Sequence, residues 1–145
     1  MVEPDESYHG IKYVEKFGKQ AFCVKLRAQM LRDIGCTMAP MNAFLTFQGL
    51  DTLHLRMERH SENAMAVAKF LGSHPKVSKC IYPGLPSHPD HDLAKRQMEG
   101  FGGMVTFEVK GGRKAAERVL RRFEIIAKAA SLGGVESLAS MPVNT

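Results

Sequence analysis

The amino-acid sequence predicts an α+β fold, a small sheet with helices packed on one face. Three observations carry that expectation. Apolar residues recur at intervals of four through much of the first half, the spacing of one helix face. From Val77 onward the period drops to two, as in half-buried strands. Short connections marked by Gly or Pro separate the segments, ordering them as two helices followed by β-α-β-α-β-β.

Phe22, Leu26, Met30 and Ile34 form one apolar stripe, with Lys25, Arg27, Arg32 and Asp33 off it. Gly35 follows, where a helix end favours a left-handed residue. Pro40 suits the first position of the next helix, because its missing N–H would have no partner there anyway. Leu53, Met57, Ala64, Val67 and Leu71 then share a face, while Asp51, His54, Arg56, Glu58, Arg59, Ser61 and Glu62 occupy the others. Gly49 interrupts this stretch and Gly72 ends it, so Pro40 to Leu71 reads as a shorter and a longer helix or as one kinked helix.

Val77 to Tyr82 is a predicted strand closed by Pro83-Gly84, and Asp90 can cap a short helix from His91 to Met98. The turn Gly100-Phe101-Gly102-Gly103 leads into Met104 to Val109, where Val105, Phe107 and Val109 alternate onto one face. Gly111-Gly112 opens an amphipathic helix with Ala115, Ala116, Val119, Leu120 and Phe123 inward. Strands are expected at Ile125 to Ala129 and at Val135 to Ser140, the last stopped by Pro142. The acidic first seven residues read as a loose leader.

At 145 residues the chain suits one domain able to bury about two-thirds of its unfolded surface. The net charge of +5 is mild and gathers at Arg113, Lys114, Arg118, Arg121 and Arg122, with Glu117 among them. No aromatic residue is interleaved for base stacking, so a solvated helix face is favoured over a nucleic-acid footprint. Three widely spaced cysteines, Cys23, Cys36 and Cys80, point to reduced thiols and a cytoplasmic protein. The N-terminus has no signal-peptide pattern, and no apolar run is long enough for a membrane span. A soluble protein without nucleic-acid or membrane partners is expected.

His88-Pro89-Asp90-His91 carries two imidazoles and a carboxylate, but no second ligand cluster closes a tetrahedral site, so it reads as a loop and no metal is expected. His54 and His60 lie on a polar helix flank and are expected to face solvent. Glu58 and Glu62, one turn apart, belong to a charge lattice with Arg56 and Arg59. Ser131-Leu132-Gly133-Gly134 is different. Paired glycines are poor helix formers, so the segment reads as a tight turn that sets a hydroxyl beside unencumbered N–H groups, a pairing suited to a carboxylate or phosphate. From the residues alone, a plain turn between strands and an anion site stand level.

Tyr8-His9-Gly10, Leu31-Arg32-Asp33-Ile34-Gly35, Pro40-Met41-Asn42-Ala43-Phe44-Leu45 and Gln48-Gly49-Leu50-Asp51-Thr52-Leu53 together resemble one enzyme family. Leu55-Arg56-Met57-Glu58-Arg59-His60, Tyr82-Pro83-Gly84-Leu85, Gly102-Gly103-Met104 and Ser131-Leu132-Gly133-Gly134-Val135-Glu136-Ser137-Leu138 continue the likeness. The family is the Cys/Met-metabolism group of pyridoxal-phosphate (PLP) enzymes, which includes O-acetylhomoserine sulfhydrylase, cystathionine γ-synthase and cystathionine γ-lyase. The resemblance implies γ-replacement or γ-elimination on homoserine esters, cystathionine or methionine, in a cytoplasmic homotetramer. It covers only part of such an enzyme. Residues 1–35 correspond to the tail of the large cofactor domain and 36–145 to the C-terminal domain of a fold-type-I PLP enzyme, incomplete at its end.

Ser131 matches the family's serine that helps hold the α-carboxylate of the amino-acid substrate. No catalytic or cofactor-binding residue carries over. The Schiff-base lysine lies upstream of Tyr8-His9-Gly10 in the family, and the substrate-clamping arginine lies beyond Thr145. Lys25, Lys69 and Lys95 fall on helical surfaces outside any matching motif. The chain alone is therefore expected to be inactive. The alternative the resemblance leaves open is a non-catalytic oligomerisation or interaction module.

Overall fold

The computed structural model describes residues 1–142 and has α+β architecture with small sheets. The last three residues of the expected second domain lie outside that range. The chain forms two compact units, Met1–Gly49 and Leu50–Thr145.

In the first unit a near-continuous helical run comprises α1 (Tyr13–Phe17), a 3₁₀ turn (Gly18–Gln20), α2 (Ala21–Lys25), a π-helical stretch (Leu26–Leu31) and α3 (Arg32–Ile34). Gly35 ends it at φ 71°, the left-handed conformation expected of it. Tyr13 and Ala21 are the buried residues of this run. The predicted stripe is not its core: Phe22 and Ile34 are 63% and 62% exposed.

The expected loose leader is instead tied down. Lys25 Nζ pairs with Asp5 Oδ2 at 2.7 Å, Gln29 Nε2 donates to Ser7 Oγ at 3.0 Å, and Tyr8 donates its hydroxyl to the Ala28 carbonyl at 2.5 Å. Lys25 and Gln29 sit one turn apart, so a single helix face meets the acidic segment twice. The Lys25 hydrogen bond, then that of Ser7, holds the Asp5 carboxyl down at about 2.

Helix α4 (Pro40–Asp51) starts at the proline, as its missing N–H predicts. Gly49 does not interrupt it; the break falls at Thr52, and α5 runs over Leu53–Ser73. The two are therefore a shorter and a longer helix. Along α5 the buried line is Ala64 and Ala68, while Leu53, Met57 and Val67 of the predicted face are exposed. Small side chains let the next strand approach closely, and that decides which face is covered.

The strand pairing differs from the single sheet expected. β1 (Val77–Ile81) pairs antiparallel with β2 (Thr106–Val109), Cys80 opposite Phe107, with an irregularity between Val77 and Lys79. β3 (Ala127–Lys128) and β4 (Leu138–Ala139) form a separate parallel pair. A parallel return cannot be made by a tight turn, so the expected turn at Ser131 is part of a wide loop. Helices α6 (His91–Gln97) and α7 (Gly112–Arg121) complete the second unit. Asp90 occupies the N-cap of α6 but makes no side-chain cap; its N–H donates to His88 Nδ1 at 3.1 Å.

Candidate functional site

Two places in the second unit gather the segments singled out in the sequence. The first is built on Tyr82, which is fully buried with Ala64 and Ala68 and flanked by Met65, Cys80, Leu85, Phe101 and Val105. Its hydroxyl faces the Gly102 carbonyl at 2.9 Å and that of Ser61 at 3.3 Å. Burial pushes that hydroxyl up from its ordinary pKa, so it stays a donor. Ser61 Oγ donates to the Met57 carbonyl at 2.9 Å and accepts from the Gly102 N–H at 3.1 Å.

The glycines at this place are needed for space. A Cβ on Gly84 would stand 2.5 Å from Met65 Cε and 2.6 Å from Tyr82 Cε1, and one on Gly100 would stand 2.8 Å from Ser61 Oγ. His91 bonds the Pro83 carbonyl through Nδ1 at 2.7 Å and stacks on Phe101 with ring centroids 5.6 Å apart. The His88–His91 segment thus serves backbone contacts. Among the described residues no group of three or more His, Cys, Asp or Glu side chains is placed to hold a metal ion.

His60 departs from the sequence expectation. Its Nε2 is buried without a hydrogen-bond partner, and its Cβ would stand 3.2 Å from a Cβ on Gly103. A histidine on a charged helix flank gives no local sign of that inward placement. Cys80 is half-buried, its Sγ 3.7 Å from the Ala68 carbonyl, and burial raises its thiol pKa. Such a thiol is inert at neutral pH. Cys23 and Cys36 are exposed and unpaired.

The second place is the loop between β3 and β4. Ser131 is exposed, as are Leu132 at 77% and Val135 at 81%. Gly133 holds φ +82°, which only glycine adopts without strain. Its carbonyl accepts from Arg56 Nη1 at 2.6 Å, and the Glu136 carboxylate folds back over Gly134. The structure therefore presents Ser131 at the surface in a glycine-bearing loop anchored from α5. Sequence reasoning missed Arg56, whose partner is 77 residues away.

The described lysines do not form a cofactor site. Lys25 is committed to Asp5 at 2.7 Å, and Lys69 and Lys95 are exposed. A PLP site needs a lysine in a cleft with a carboxylate for the ring nitrogen and groups for the phosphate. The residues present do not fit that group on their own.

Residues 12–145 match the family described as Cys/Met metabolism PLP-dependent enzyme. The chain belongs to this family. It is 56% identical over 108 residues to a cystathionine gamma-synthase of Mycobacterium tuberculosis, covering 74% of this chain and 28% of that protein. It is 44% identical over 155 residues to an O-acetyl-L-homoserine sulfhydrylase of Leptospira meyeri, covering 100% and 35%. A cystathionine gamma-lyase of Bos taurus is 46% identical over 144 residues, covering 93% and 36%. The chain thus spans about a third of the length of the curated relatives it matches.

Proposed function

We propose that this chain is a segment of a PLP-dependent enzyme that replaces or eliminates the γ-substituent of a sulfur amino acid or homoserine ester, and that it does not catalyse alone. In that reading residues 1–35 belong to the cofactor domain and 36–145 to the C-terminal domain of a fold-type-I enzyme. The family match over residues 12–145 carries the reading. PLP, bound by other parts of the enzyme, supplies the electron sink for chemistry at the substrate carbons. This chain contributes Ser131, whose hydroxyl donates to the substrate α-carboxylate and so fixes the amino acid's orientation. The exposed glycine loop supports that role because it leaves the hydroxyl and the neighbouring backbone approachable.

Two measurements test it. In the complete enzyme, Ser131→Ala should raise KM for the amino acid by roughly 10- to 100-fold, as expected for a hydrogen bond to a charged group. An unchanged KM removes Ser131 from the site. PLP mixed with this chain alone should give no lysine-linked chromophore, and a stable one would overturn the reading.

A second reading, a non-catalytic oligomerisation module, is favoured by one observation. Met41, Phe44, Leu45, Phe47 and Leu50 of α4 are all at least half exposed. Helices that are hydrophobic all round are buried in finished structures. A cytoplasmic location belongs to both readings, whereas homo-oligomerisation is a property of the complete enzyme in the first and of this chain by itself in the second. Sedimentation separates them: stable self-association at micromolar concentration supports the module, and a monodisperse monomer opposes it.

A further inference from the structure

Arg56 lies in the first turn of α5. Its Nη1 donates to the Gly133 carbonyl at 2.6 Å, and its Nε donates to Thr52 Oγ1 at 3.2 Å. Two bonds from one planar guanidinium fix its plane as well as its position, which a lysine could not do. Among the described residues the loop it reaches packs little. Its flanking strands are two residues each, and Leu132 and Val135 project into solvent instead of packing. The geometry points to Arg56 as a positioning residue that holds the Ser131–Gly134 segment in its carboxylate-binding form, a role that rests on the reading of Ser131 given above.

The peptide plane links the bond to the site. In a trans peptide the C=O and the following N–H point in opposite directions. Arg56 pulls the Gly133 carbonyl toward α5, so the Gly134 N–H is directed away from it. A charge-assisted bond of this kind resists reorientation better than a neutral one. Without it, Gly133-Gly134 is free to rotate, and the serine two residues earlier loses its fixed relation to the backbone donors.

Nitrogen-15 relaxation on the full chain tests this directly. Backbone order parameters for Leu132 to Gly134 should be about 0.8 in the wild type, near those of β1 and β2, and fall below about 0.6 in Arg56→Met. Arg56→Lys, which keeps the charge and one donor, should recover part of that loss, while β1 and β2 remain unchanged in both variants. Thr52→Val should loosen the loop by a smaller amount, because it removes one guanidinium bond and leaves the one to Gly133. Unchanged order parameters in Arg56→Met overturn the inference, as does an equal loss in Ser131→Ala, which would make the serine the loop's own anchor. If Arg56→Met loosens the loop while Ser131→Ala leaves KM of the complete enzyme unaltered, the serine reading fails and Arg56 remains the anchor of this loop.

Discussion

The Tyr82 cluster and the Ser131 loop belong to the same family and to the same unit of the chain, yet they are held in opposite ways. Tyr82 is sealed among Ala64, Ala68 and Phe101, with its hydroxyl, Ser61 and Gly102 satisfying one another. The Ser131 loop is open to solvent and is attached at Gly133 by a side chain from α5. One segment uses its residues to build its own surroundings. The other leaves its residues facing solvent. Two glycine-bearing segments of one chain are therefore built differently, and burial tells them apart.

The sharpest way to break this contrast is Tyr82→Ala, which should cost about 3–5 kcal/mol in chemical denaturation of the chain. A loss below 1 kcal/mol would mean that the cluster does not organise its unit. Gly84→Ala comes next, at about 1–3 kcal/mol, because the added methyl meets the Tyr82 ring as well as the mobile end of Met65. Met65→Ala in the same background should relieve only part of it.

A third measurement concerns the pinned leader. Asp5 lies below its ordinary value because Lys25 and Ser7 stabilise the carboxylate. Its folded value is the lower one, so the contribution is complete above the ordinary carboxylate range and fades as pH falls toward about 2. Proteolysis of the first twelve residues should accelerate in that window, and Asp5→Asn should show the faster rate already at pH 7. Equal rates for variant and wild type at pH 7 would remove the ion pair as the clasp. The smallest effect is expected for Ser131→Ala, whose stability should stay within about 0.5 kcal/mol of wild type, as for exposed residues generally. A larger loss would place the serine in the framework and not in the site.

Much of the local structure was legible in advance. Gly35 and Pro40 mark helix ends by backbone chemistry that acts within a residue or two, and both stand where expected. The alternation at Val105, Phe107 and Val109 located β2 because a strand's two faces differ. What stayed hidden depends on contacts distant in sequence. The covered face of α5 is the alanine line and not the larger apolar one, since the closeness of β1 decides it. The separate pairing of β3 with β4, the inward ring of His60, the Asp5–Lys25 clasp and the Arg56–Gly133 bond leave no periodic or compositional trace. Ser131 was legible as a hydroxyl beside glycines and as a match to the family's serine; its exposure on a wide loop was not.

The widened turn at Leu26–Leu31 has a geometric consequence for the stripe that contains it. Side chains four apart on a regular α-helix drift by about 40° per step, so three steps from Phe22 would carry Ile34 about a third of the way around the cylinder. A π-turn, at roughly 4.4 residues per turn, rotates the other way by about 30° over the same interval. Phe22, Leu26, Met30 and Ile34 are thereby brought back toward a common azimuth, as straight as a keel. Deleting a single residue inside that turn would tighten the other five to ordinary pitch, and because the lost step and the added winding nearly cancel, Ile34 would stay within about 20° of the line of the other three.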